Sequence, residues 1–130
     1  MPKKILIIED DKKIALALGV RLKANGYEVL QAFDGLQGFI QATKHRPDVV
    51  VLDVSMPAGG GFSVASRMRD MVDLASVPII FMTASKMPEI FATAQQYSPI
   101  GYLEKPFDAE ELLALVRKAT GEAPTYEGPP

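Results

Sequence analysis

Apolar and polar positions alternate along this chain in two rhythms, and the alternation predicts the fold. "KILII" is a continuous apolar run, as expected of a strand covered on both faces. From Lys12 to Asn25, apolar Ile14, Leu16, Leu18 and Leu22 mix with Lys13, Arg21 and Lys23 at roughly helical spacing, and Asn25-Gly26 supplies the stop. "YEVLQA" predicts a second strand, and "GLQGFIQATKH" a short helix ended by Pro47. "DVVVLD" is the strongest strand signal, a β-branched run between Pro47 and Asp53. Beyond the glycine-rich "PAGGG", Phe62 to Met71 predicts a helix, and "VPIIFMTA" a strand with Pro78 near its beginning, where a missing ladder donor matters least. "MPEIFATAQQY" predicts a helix with Pro88 near its first turn, and "IGYLEK" the last strand. "DAEELLALVRKAT" predicts the last helix, with Asp108 as N-cap, acids in the first turn, and Arg117 and Lys118 in the last.

Five βα units in strict alternation imply an α/β fold: a parallel sheet with helices on both faces, because right-handed parallel crossovers need a helix to span them. Residues 1–120 read as one domain, and Gly121 to Pro130, rich in proline and glycine, as a tail or the stub of a linker. The composition fits this: 48% hydrophobic and 23% charged residues over 130 positions describe an ordinary single globule. No apolar run approaches a bilayer span, and Glu9 ends the first run too early for a secretory signal, so a cytoplasmic protein with no membrane partner is expected. The absence of cysteine excludes disulfide and thiol chemistry. A net charge of -2 argues against direct contact with nucleic acid, which needs clustered cations to neutralise phosphates.

In sheets of this kind ligands bind beyond the carboxyl ends of the strands. There the first strand leaves Glu9, Asp10 and Asp11, the third Asp53, the fourth Thr83, Ala84 and Ser85, and the fifth Lys105 and Pro106. Two carboxylates about 4 Å apart repel by roughly 4 kcal/mol at an effective dielectric near 20. Such a cluster calls for a proton or a cation, and Lys105 alone neutralises one charge. Mg²⁺ suits the remainder, since it uses one or two carboxylates, keeps several waters and completes its shell with phosphate oxygens. Beside such an ion Asp53 becomes a credible nucleophile toward phosphorus, with Lys105 and Thr83 stabilising the transferring oxygens.

The segments "IIEDD", "VVVLDVSMP", "IIFMTAS" and "YLEKPF", in this order and at these separations, resemble the receiver domain of bacterial two-component response regulators, over Lys4 to about Thr120. The resemblance implies a flavodoxin-like (βα)5 sheet of order 2-1-3-4-5. It implies that Asp53 accepts a phosphoryl group from a sensor histidine kinase or a phosphotransfer protein. It further implies Mg²⁺ bound by Glu9, Asp10, Asp53 and the Ser55 backbone carbonyl, inward movement of Thr83 and Tyr102 on phosphorylation, and a cis peptide between Lys105 and Pro106. The output face would be the fourth helix, fifth strand and fifth helix, about Met87 to Thr120, with a downstream protein or domain as partner and homodimerisation as a family habit. Two departures, "MPAGGGF" and "TAQQYSPIGYL", lie near that face.

Plainer readings compete at single positions. Asp10 or Asp11 suffices as an N-cap for the first helix, with Asp11 the better candidate, and Ser85 as a cap for the fourth. Tyr102 fits a core or rim position, and His45 a solvated helix end. Gly59 to Gly61 reads as a flexible turn, with no Lys-Ser/Thr following to make a phosphate-gripping loop. A haloacid-dehalogenase-like phosphatase also uses a strand-end aspartate and Mg²⁺, but it places a second aspartate two residues on, where this chain has Ser55. A pseudo-receiver that never takes phosphate is the third reading.

Overall fold

Ile5, Leu6, Ile7 and Ile8 are all fully buried, as an uninterrupted apolar run requires of a strand covered on both sides. In the computed structural model, which describes residues 2–56 and 60–122, this run is β1 (Lys4–Ile8). The chain continues as α1 (Lys12–Ala24), β2 (Glu28–Ala32), α2 (Gly35–His45), β3 (Val49–Asp53) and α3 (Gly60–Arg69). It closes with β4 (Ile79–Thr83), α4 (Pro88–Gln95), β5 (Gly101–Glu104) and α5 (Ala109–Thr120). Every strand pair is parallel and the sheet order is β2-β1-β3-β4-β5, the flavodoxin-like order. The period-2 alternation of strand side chains divides the core into two layers. Ile5, Ile7, Val49 and Val51 face α1 and α5, whereas Leu6, Ile8, Val50 and Leu52 face α2, α3 and α4.

Strand order reverses at β1, which pairs with β2 on one side and β3 on the other. The crossovers leave on opposite faces there, and a crevice opens beyond the carboxyl ends of β1 and β3.

Local chemistry explains the element ends and corrects four expectations. The third helix begins at Gly60, two residues before Phe62, so Gly60, in the left-handed region, and Gly61 form the opening of the helix rather than a flexible turn; Gly59 lies outside the described residues. A Cβ on Gly61 would lie 2.5 Å from the Asp53 carbonyl oxygen, and one on Gly60, at φ +54°, 2.7 Å from that of Val54. The glycines thus let the first turn of α3 press against the end of β3. That helix also ends at Arg69 rather than Met71. Asp11 caps α1, its Oδ1 accepting from Lys13 N at 2.9 Å and Ile14 N at 3.3 Å. Asp108 occupies the N-cap position of α5, but its side chain closes no capping bond among the described residues. Finally, folded structure continues past Thr120. Gly121 closes α5 in the left-handed region, Glu122 N donates to Arg117 O at 2.9 Å, and Tyr27 Oη donates to Glu122 Oε1 at 2.9 Å. Residues 123–130, the rest of the expected tail, lie outside the described residues. Among the described residues no helix is long and apolar enough to cross a membrane.

Candidate functional site

The strand ends bring together Glu9 from β1 and Asp53 from β3, both almost fully buried, with exposed Asp10 at the rim. Carboxylate oxygens of the three lie within 4.8 Å of one another. Lys105 reaches them from the far side of the sheet. Its backbone N–H donates to Thr83 O at 2.7 Å, fixing it to the end of β4, and its Nζ donates to both Glu9 Oε1 and Asp53 Oδ2, the latter at 3.0 Å. Lys105 therefore bridges two carboxylates while its single charge neutralises one. The Lys105–Pro106 peptide is cis.

Each oxygen of the buried pair has a donor. Asp53 Oδ1 accepts from Ser55 N at 2.8 Å, and Glu9 Oε2 accepts from Asp11 N at 3.2 Å. Both carboxylates are thus held in orientation, as burial requires. The electrostatics separate them. Burial, followed by contact with Asp53, pushes Glu9 up to about 7 against the pull of Lys105. Burial pushes Asp53 the same way, but bonding to Glu9, the Ser55 N–H and the Lys105 ammonium together hold it below the usual aspartate value. Like charges this close oppose each other's ionisation, so of the two Glu9 is the readier to hold a proton and Asp53 the readier to keep its charge. Lys105, despite its burial, is held above the ordinary lysine value by its bonds to Glu9 and Asp53.

The donor set suits a hard divalent cation: oxygen ligands only, closely grouped, with Asp10 exposed on the open side where waters or phosphate oxygens can complete a shell.

Thr83 ends β4 almost fully buried, in register with Glu104 on β5. Its Oγ1 accepts from Ser85 N at 3.0 Å, which leaves the hydroxyl hydrogen available to a further acceptor. Ser85 is not the cap of α4: Met87 holds that position, and Ser85 Oγ accepts from Met87 N at 3.2 Å. The Tyr102 ring packs on Phe91 with centroids 4.2 Å apart, and its buried hydroxyl closes no hydrogen bond among the described residues. Burial raises its pKa, with the neighbouring Thr83 hydroxyl acting in the opposite sense. His45 stands in the last turn of α2, which leads to the start of β3 and so to the end of the sheet away from Asp53.

Sequence reasoning missed the backbone donors of Ser55 and Asp11. Their signal was available in kind, because a carboxylate followed closely by a turn commonly receives the N–H two residues on.

The sequence profile of the response regulator receiver domain matches residues 5–117. Among curated relatives, the DNA-binding dual master transcriptional regulator RpaA of Synechocystis sp. is 38% identical over 117 residues, 90% of this chain and 48% of that protein. The chain thus spans about half the length of the curated relatives it first matches. Among solved structures, the Vibrio cholerae chemotaxis protein CheY4 superposes with a TM-score of 0.86 at 31% identity, covering 92% of this chain and 99% of that one. The receiver domain of the Pseudomonas aeruginosa sensor histidine kinase PA1611 superposes with a TM-score of 0.85 at 28% identity over 94% of this chain and 100% of its own, and that structure has a magnesium ion coordinated in its active site cleft. The matched profile runs from β1 through most of α5 and so includes β1, β3 and β5, whose carboxyl ends carry the carboxylates and the lysine. The chain belongs to the response regulator receiver domain family.

Proposed function

We propose that this receiver domain accepts a phosphoryl group on Asp53 from the phosphohistidine of a sensor histidine kinase or phosphotransfer protein, and passes the signal on by a change in partner affinity. The observation that carries the reading is the grouping of Glu9, Asp10 and Asp53 carboxylates at one rim, with Asp53 oriented by the Ser55 N–H and Lys105 bridging Glu9 and Asp53. An Asp53 oxygen attacks phosphorus, the P–N bond to the donor imidazole breaks, and the ring nitrogen keeps the bonding pair. Glu9, Asp10, Asp53 and the Ser55 carbonyl would hold Mg²⁺, which when bound supplies positive charge for the transferring oxygens. Lys105 exchanges its Asp53 contact for a phosphoryl oxygen, and the free Thr83 hydroxyl hydrogen donates to another. Drawing Thr83 toward the phosphoryl group alters the surroundings of the unpartnered Tyr102 hydroxyl and shifts the population of the face formed by α4, β5 and α5.

That face, about Met87 to Thr120, would meet a downstream protein or domain, or a second copy of this chain. RpaA is described as DNA-binding over a length about twice this one, and the net charge of -2 here suits a domain that leaves nucleic acid to another part of such a protein. The expected setting is the cytoplasm, with no membrane contact. The phosphatase reading has little support, because Ser55 stands where it needs a second aspartate. The pseudo-receiver reading is the nearer rival, and the assembled acid and lysine set counts against it.

Incubating the chain with a small acyl phosphate and Mg²⁺ should add the mass of one phosphoryl group. Asp53→Asn or a chelator should abolish the gain; label that survives Asp53→Asn would refute the assignment.

A further inference from the structure

A second half-buried cation sits at the end of the sheet away from Asp53, and no carboxylate pairs with it among the described residues. Arg69, in the last turn of α3, donates from Nε to Tyr97 O at 2.9 Å and from Nη1 to Ala75 O at 3.0 Å and Val77 O at 2.7 Å. These carbonyls belong to two separate connections, one from α3 to β4 and one from α4 to β5. A single planar fork thus fastens both, a task for which guanidinium geometry is suited and an ammonium is not.

The helix between those connections is held unevenly. Ala94, the one fully buried residue of α4, lies in its last turn. Just beyond it, Tyr97 stacks on Phe62 with centroids 5.8 Å apart and meets Phe81 edge-on at 6.4 Å. Ser98 then takes φ +50°, a left-handed conformation that a non-glycine residue keeps only where its surroundings over-determine it. The amino end differs. Met87 is 57% exposed and offers no side-chain cap, and Pro88 and Glu89 are exposed. In that same first turn Phe91 packs on Tyr102.

We infer that Arg69 is the fulcrum of the switch: by fixing the Tyr97 carbonyl to α3 and to the α3–β4 connection, it confines movement of α4 to the amino end, where Phe91 meets Tyr102. The inference rests on the reading of Asp53 as phosphoryl acceptor. Arg69 is a positioning residue here, remote from the reacting atoms. Its carbonyl partners are neutral, so the grip persists whatever charge arrives at Asp53.

Amide hydrogen exchange on the whole chain tests it, first without any donor. In the wild type, the amides of residues 89–91 should exchange at least tenfold faster than those of 94–97, and Arg69→Met should erase that gradient by accelerating 94–97. The second arm adds a small acyl phosphate and Mg²⁺. Phosphorylation should change exchange at 89–91 in the wild type and leave 94–97 within twofold, whereas in Arg69→Met the phosphorylation-linked change should spread to 94–97. Arg69→Lys, which keeps the charge but loses the fork, should behave as Arg69→Met to a smaller degree and takes over the test if the methionine chain does not fold. A flat wild-type profile overturns the inference. So does a variant in which 94–97 exchanges faster by the same factor with and without phosphorylation, the mark of a merely structural role. The mass gain on the same samples reports on the acceptor reading alone, and the donor-free gradient is independent of it.

Discussion

Lys105 and Arg69 occupy opposite ends of one sheet and are held by opposite means. Lys105 bridges two buried carboxylates, and those bonds outweigh burial to raise its pKa. Arg69 has three neutral carbonyls, and burial lowers its pKa. The difference separates two uses of a cation. Ionic partners can take a proton, a metal or a phosphoryl group, so the Lys105 end responds to what binds. Carbonyls cannot titrate, so the Arg69 end keeps one arrangement.

Removing each cation should show this contrast. Lys105→Met leaves two buried carboxylates without a counter-charge, and in chelator at pH 8 it should cost about 3 kcal/mol of unfolding free energy. At pH 5, where Glu9 carries a proton, the cost should shrink, and Mg²⁺ at pH 8 should recover part of it. Arg69→Met strands three carbonyls and should cost about 2 kcal/mol in urea titrations, by the same amount at pH 5 and pH 8 and regardless of Mg²⁺. Equal pH responses in the two variants would dissolve the comparison.

The wild type carries the same signature more weakly. Glu9 rises from an ordinary 4.5 to about 7 on folding, so between those values the native state holds a proton that the unfolded chain has released. The unfolded state then binds fewer protons, and stability falls as pH rises through this window. Asp53, shifted down from 3.8, acts in the opposite sense but only below that pH. In chelator the melting temperature should therefore decline from about pH 4.5 to about 7, and Glu9→Gln should flatten the slope. The smallest effect sits in the helix caps. Asp11→Ala removes two capping bonds and should cost about 1 kcal/mol, whereas Asp108→Ala, with no capping bond to lose, should cost only a few tenths.

Most elements were legible from local pattern because each rests on local causes. Apolar runs such as "DVVVLD" bury on both faces of a parallel sheet, and Asn25-Gly26 and Pro47 stop their helices for steric reasons confined to a few bonds. The start of α3 was misread for the converse reason. A run of glycines suggests freedom, and only the approach of the Asp53 and Val54 carbonyls turns Gly60 and Gly61 into the opening of a helix.

The residues of the candidate site were legible in the same way. Topology alone carries the ends of β1, β3, β4 and β5 to one rim, so reading what leaves each strand gathers Glu9, Asp10, Asp53, Thr83 and Lys105 before any distance is known. Their pairing was not. Lys105 is separated from Glu9 by 96 residues and from Asp53 by 52, and which oxygens it reaches depends on side-chain reach and on the Thr83 carbonyl that anchors its backbone. The same holds for Arg69, which in sequence is one more cation in a helix's last turn. Hydrophobic periodicity records which way each residue faces, a property of a few neighbouring bonds. The partner a polar group finds across the molecule is set by how all the layers pack, and that was decided only in three dimensions.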